Sequence, residues 1–325
     1  MLKCSLFFNL ISVASVKIFS LTGLLSSFFL GLFPVICVAH VPIDPNESIW
    51  LNWVYTPEIA LPMLFTSIVY LRGRAKRREH HRPIPMLQTL LFFAGMFSFV
   101  IALQSPLEPL SDHFLFMHQI EHMLIRSVAP LLIIVSMPLA PLIQGLPNGI
   151  RHHVLVPLVR NRVLKAVYLF LGHPLIASVV FIATLLIWQI PSLHDQAVFD
   201  RTLHDSMHIT MILSGFFFWW LICDPRQKSA RISYGMRLII LWAVTIPNTI
   251  IGAIITLSHQ QIYKAYDVLH GDWGIQLMLD QQLGGIIIWG PDGMVAFVGT
   301  AIVFILWLRQ EKENNRRLKA AQTEQ

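Results

Sequence analysis

The sequence predicts an all-α membrane protein, a polytopic bundle of seven transmembrane helices behind an N-terminal signal sequence or an additional N-terminal helix. Three observations carry that prediction. Apolar residues make up 55% of the 325 positions and charged ones 13%, where a soluble domain would carry roughly a quarter charged. Seven apolar segments approach the ~20 residues that a helix needs to span ~30 Å of hydrocarbon. Basic residues concentrate in alternate loops between those segments, as they do when Lys and Arg stay on the cytoplasmic side.

Residues 1–39 contain Lys3 and Lys17 and then an apolar run from Ile18 to Val38. Cys37 and Ala39 are small residues at the two positions that define a signal cleavage site after Ala39, which would leave His40 as the new N-terminus. The alternative is an uncleaved membrane anchor. Residues 40–310 form the predicted seven-helix domain, with spans at about 53–71, 86–104, 113–137, 172–190, 204–222, 236–257 and 282–308. Proline or glycine marks nearly every junction, at Pro83, Pro85, Pro106, Pro109, Pro138, Pro141, Pro191, Pro225 and Gly271. Residues 311–325 read as a cytoplasmic tail that extends the last helix.

Charge then orients the bundle. The segments RGRAKRREHHR, RHHVLVPLVRNRVLK and CDPRQKSAR and the tail RQEKENNRRLK hold the clustered basic residues. The intervening loops offer only Arg201 and Lys264, against acids such as Glu108, Asp112, Asp195, Asp200, Asp267 and Asp280. This predicts a bacterial inner-membrane protein with its mature N-terminus outside and its C-terminus in the cytoplasm. The net charge of +6 is accounted for by these loops, so nucleic acid is not an expected partner. Within 138–171, Val154, Leu155, Leu158, Val159, Val163 and Leu164 alternate with basic residues, as in a helix lying at the membrane surface. Three cysteines, two of them in the first 40 residues, supply neither a disulfide framework nor a cysteine metal cage.

Topology divides the fourteen histidines. His80, His81, His152, His153 and His173 belong to the basic loops, while His40, His113, His118, His122, His194, His204, His208, His259 and His270 belong to the opposite side. Within the second group, His118 with His122 and His204 with His208 are each spaced four apart, so each pair shares one helical face. From the helix starts, His118 lies ~9 Å deep, His208 ~7 Å and His122 ~15 Å. Two such pairs could give three or four imidazoles to one ion, a set suited to copper or zinc. The alternative is hydrogen bonding between helices without metal. Sharing an ion calls for His118 and His208 rings within ~5 Å, and a gap beyond ~8 Å excludes it. A haem between the two helices is a third possibility. Met117, Met123, Met207 and Met211 flank the pairs and read first as core filler. Trp219 and Trp220 fit an interfacial aromatic belt. Deeper in the same bundle, Arg126 and Asp292 lie ~21 Å and ~18 Å along their helices, a match that permits a structural ion pair. No phosphate loop, nucleophile elbow or dinucleotide fingerprint is present.

These stretches resemble the CtaG family of cytochrome c oxidase assembly factors, the type associated with caa(3)-type oxidases. MHQIEHMLIRSVAPLLII is similar to that family's third-span motif, two histidines four apart before Ala-Pro. LHDSMHITMILSGFFFWWLI is similar to its second histidine pair, and DQQLGGIIIWGPDG to its Asp-Gln, Gly-Gly and Trp-x-Pro signature. AHVPIDP resembles the start of members with a cleaved signal. Glu121 and Arg126 depart from the pattern, being charged where milder residues are expected. The positions that carry over are His118, His122, His204, His208, Asp280 and Gln281.

The resemblance implies a non-enzymatic factor that matures a respiratory haem-copper oxidase, with oxidase subunits and the membrane as its partners. Copper handling at the outer face through the four histidines is the accompanying expectation, with Asp280 hydrogen-bonding a ligand histidine. The other readings are a copper transporter or copper-tolerance protein, and a haem-binding redox protein.

Overall fold

The computed structural model describes residues 53–224, 232–271 and 274–323. The expected signal sequence, its cleavage site and His40 lie outside them. The described residues are helical throughout, with no strand among them. In chain order the first helices are α1 (Pro57–Glu79), α2 (Met86–Gln104), α3 (Leu107–His113), α4 (Leu115–Met123), α5 (Ala129–Val135), α6 (Leu139–Gly145), α7 (Asn148–Ile150) and α8 (Val156–Arg160). They are followed by α9 (Arg162–Leu171), α10 (Pro174–Trp188), α11 (Pro191–Phe199), α12 (Arg201–Cys223), α13 (Tyr234–Leu257), α14 (Ala265–Leu269), α15 (Leu277–Trp289) and α16 (Pro291–Thr323).

Four of these stretches are long and apolar enough to cross a membrane: α2, α12, α13 and the run Leu277–Ala320 through α15 and α16. Two bent pairs raise the number to six, α4–α5 with α6 at 78° and α9 with α10 at 73°. The first bend falls where Met137 takes a positive φ of 52° immediately before Pro138, a residue that bars its neighbour from continuing the helix. The expected first span meets the criterion least well. Its helix, α1, is apolar only from Pro57 to Leu71 and then enters the basic run through Arg78. Large apolar side chains such as Leu64, Leu87, Phe97, Ile250 and Phe297 point outward, as a bundle solvated by lipid requires.

The span from α4 to α5 contains a π turn at Leu124–Val128. Its cause is Pro130, which has no N–H to give Arg126 and whose ring would clash with that carbonyl in a regular helix. One extra residue in the turn relieves the conflict. The same arrangement recurs at the π turn Arg151–Leu155 ahead of Pro157.

The main core joins α2, the α4–α5 span, α10, α12, α13 and α16 through Phe92, Ile125, Phe181, Met211, Phe218 and Trp219. Trp219 is therefore not the interfacial residue expected from the sequence. Its ring lies against Gly299 of α16, because α12 runs through the middle of the bundle with helices on every side. Met207 and Met211 are fully buried core residues. At α13 and α15 the backbones meet: a Cβ on Gly285 would stand 2.5 Å from the Thr256 nitrogen, which gives the Gly-Gly of DQQLGG a packing role.

Within this bundle Arg126 Nη1 stands 3.4 Å from Asp292 Oδ2, and its Nη2 donates to the Phe181 carbonyl at 2.9 Å. Ser127 Oγ and Asn248 Nδ2 donate to the same carboxylate at 2.6 and 2.9 Å. One partly buried carboxylate thus ties together the π turn, α13 and α16, while the guanidinium reaches α10.

Candidate metal centre

Two carboxylates set the register of the histidine helices. Asp200 begins α12 by accepting from the Thr202 and Leu203 amides, so His204 and His208 fall on its first and second turns. Helix α4 has no side-chain cap of its own. Asp280 of α15 supplies one, accepting from Leu115 N at 2.9 Å and Phe116 N at 3.0 Å. His118 and His122 then occupy the first two turns of α4. The expected partner of Asp280 was a histidine ring; among the described residues its hydrogen bonds go to these two backbone amides. Its neighbour Gln281 accepts from Ile262 N and donates to the Gln260 carbonyl, holding the loop that leads into α14.

The two helices bring their histidines together. His118, His122, His204 and His208 are 0%, 2%, 1% and 7% exposed, whereas His80, His81, His152, His153 and His173 of the basic loops are all exposed. Ring centroids are 4.2 Å apart within each pair, 5.4 Å from His118 to His204 and 5.5 Å from His122 to His208. His118 and His208 are 6.4 Å apart, between the two limits set from the sequence. The nitrogens approach more closely. One from each of His118, His204 and His208 lies within 4.8 Å of the other two. Two nitrogens on one tetrahedral ion stand about 3.4 Å apart for bonds of about 2.0–2.1 Å, so small ring rotations would close the set. His122 stands beside this trio and outside it.

Hydrogen bonds assign the ring protons. His194 of α11, whose ring lies 4.8 Å from that of His118, bonds the Trp188 carbonyl through Nδ1 at 3.1 Å. A carbonyl only accepts, so that nitrogen carries the proton. Burial holds His194 down at about 4, leaving the ring neutral and its Nε2 an acceptor. Tyr266 OH donates to that Nε2 at 3.2 Å, and burial pushes this phenol well above its usual range, so it keeps its proton. The phenol oxygen in turn accepts from His118 Nδ1 at 3.2 Å. The proton of His118 is thereby placed on Nδ1 and the lone pair of Nε2 is left bare, the state in which an imidazole binds metal.

The remaining polar atoms fit a cation better than a closed hydrogen-bond network. His118 Nε2, both ring nitrogens of His122 and His208 Nε2 are buried without a hydrogen-bond partner. Such groups are costly in an apolar interior unless something engages them. At the same end of the bundle, Arg201 bridges Glu108 at 2.7 Å and Asp205 at 3.1 Å, linking α3 to α12. Tyr263 OH bonds Gln189 at 2.7 Å, and Gln189 bonds Gln119 at 2.8 Å, which fixes α4 from its other side. His194, Tyr266 and Glu121 were absent from the site expected from sequence. The segregation of His194 among the acidic-side histidines hinted at one of them, and the charge of Glu121 within an apolar span at another.

Comparison with known proteins places the chain. An uncharacterised protein of Mycobacterium bovis is 25% identical over 268 residues, covering 80% of this chain and 40% of its own length. An uncharacterised protein of Mycobacterium leprae is 22% identical over 281 residues, covering 84% of this chain and 42% of its own. The chain thus spans about two fifths of the length of these curated relatives. No solved structure matches it significantly. Residues 68–310 match the cytochrome c oxidase caa3 assembly factor family, Caa3_CtaG. With well over half of its length matched, the chain belongs to the caa3 cytochrome c oxidase assembly factors.

Proposed function

We propose that this chain is a non-enzymatic assembly factor that holds copper at the outer face of the bacterial inner membrane and passes it to a subunit of a haem-copper oxidase. One observation carries the copper reading: α4 and α12 bring nitrogens of His118, His204 and His208 within 4.8 Å of one another. In this reading His122 is a fourth imidazole that the ion reaches when the rings rotate. Seven spans, with α1 as the first, and the basic loops inside put the histidines in the outer half of the bilayer. Copper is cargo here, so release matters as much as binding.

Transport across the membrane is less well supported, because the Arg126 guanidinium, paired with Asp292 and stacked 3.6 Å over the Phe181 ring, sits in the same span below the histidines. Haem is a poorer fit because a porphyrin would have to part rings that already touch across the two helices.

A deletion strain and the purified protein test the proposal together. The strain should lose oxidase activity while keeping normal cell copper. The protein should take up copper and lose that uptake in the double variant His118→Ala, His208→Ala. Altered cell copper with intact oxidase would favour transport, and a Soret band after haem-replete expression would favour haem. Purified protein without copper uptake, or with equal uptake in the double variant, would remove the metal role.

A further inference from the structure

We propose that Glu121 is the carboxylate ligand of this centre, adding one oxygen to its imidazole nitrogens and selecting a divalent ion over copper(I). The inference rests on the metal reading above and says which ion the site takes.

Glu121 is fully buried, and neither carboxylate oxygen has a hydrogen-bond partner. The donors nearby are spent elsewhere. The Ser111 hydroxyl donates to the Glu108 carbonyl at 2.6 Å, and Arg201 is engaged by Glu108 and Asp205. Asp292, a partly buried carboxylate deeper in the bundle, contrasts sharply, since Arg126, Ser127 and Asn248 all point at it. A buried carboxyl group without a hydrogen-bond partner either keeps its proton or gives it up to a cation that joins it.

The geometry points to the place where that cation would sit. Glu121 Oε1 lies 3.7 Å from His208 Nε2, an atom that also lacks a hydrogen-bond partner. That separation is too long for a hydrogen bond between them. It is close to the spacing of two ligands on one ion, since bonds of about 2.0–2.2 Å at tetrahedral or slightly wider angles put nitrogen and oxygen about 3.4–3.7 Å apart. Glu121 therefore stands beside His208 at the edge of the histidine trio, outside the 4.8 Å set, and would join the ion as the rings turn to close it.

The consequence is one of charge and softness. Copper(I) favours thioethers and thiolates, while imidazole with carboxylate suits copper(II) and zinc(II). Met207 and Met211 are consumed in the core, and the one described cysteine, Cys223, lies at the far end of α12. An anionic oxygen adds attraction that a dication feels more strongly than a monocation.

The test uses the full chain in lipid nanodiscs, titrated separately with copper(II), zinc(II) and copper(I) against competing chelators. Glu121→Gln should weaken copper(II) and zinc(II) binding by about tenfold or more, leave copper(I) binding within error, and change the copper(II) EPR spectrum. The metal-free variant should melt no lower than wild type, because Gln keeps the shape of a side chain that has no hydrogen-bond partner to lose. Equal losses for both copper states, or none, would overturn the assignment while the metal reading stands. Failure of wild type to bind any of the three ions would overturn both. If Glu121→Gln does not fold, Glu121→Asp decides: its shorter carboxylate should weaken copper(II) binding and alter the EPR spectrum, and an unchanged spectrum would overturn the proposal.

Discussion

Gly215→Ala should damage the proposed metal centre from a position well away from it. Gly215 lies on α12, and a Cβ there would stand 2.2 Å from the Arg126 carbonyl oxygen and 3.2 Å from Pro130 Cγ. Relief to ordinary contact near 3.4 Å requires a shift of about 1.2 Å between α12 and the π turn. The turn is poorly able to yield, because Arg126 and Ser127 are both held by Asp292. Helix α12 must move, and it carries His208 and His204 at seven and eleven residues' remove, about 10 and 16 Å along the axis. Overpacking of this kind costs about 1–3 kcal/mol. A ligand set that already needs to contract would be spread further, so metal affinity should fall by about tenfold or more, as when a metal's supporting residues are lost. Equilibrium unfolding in mixed micelles and chelator-competition binding measure the two effects. Gly293→Ala in α16 is the control, because nothing lies within 4 Å of its added Cβ. Wild-type stability and affinity in Gly215→Ala would refute the claim that this contact sets the spacing of the histidine helices.

Tyr266→Phe removes the link between His194 and His118. Metal affinity should fall about 10- to 100-fold as the His118 proton becomes free to occupy Nε2, and unchanged affinity in the same chelator assay would refute the tautomer assignment. Asp292→Asn should destabilise the bundle by about 3–5 kcal/mol by leaving Arg126 charged and unpaired. Adding Arg126→Met should recover part of that loss in unfolding titrations, and simple additivity of the two changes would show that they are not coupled.

Much of this protein was legible from sequence because membrane helices obey local rules. Apolar length predicted α2, α12 and α13 within a few residues, since each must satisfy its own backbone in lipid. The i, i+4 spacing placed both histidine pairs on single faces, and the count of rises matched Arg126 with Asp292. Breaks were harder to read. The 78° bend beyond α5, the 15-residue length of α10 and the π turn before Pro130 depend on how each helix meets its neighbours. The cap that Asp280 lends to α4 was also out of reach, because a carboxylate near a histidine helix can serve its amides as readily as its rings.

By itself, then, the sequence determined the all-helical membrane character, the segregation of the histidines and the two ligand-spaced pairs, all consequences of hydropathy and helical period. Only the tertiary structure decided that His118, His204 and His208 form the compact trio with His122 beside it, that Tyr266 and His194 orient the ring of His118, and that Glu121 stands buried without a hydrogen-bond partner beside His208. Those outcomes depend on the approach of α12 to a π turn across Gly215 and on a cap lent to α4 by α15. Such contacts join residues far apart in the chain, and no local pattern encodes them.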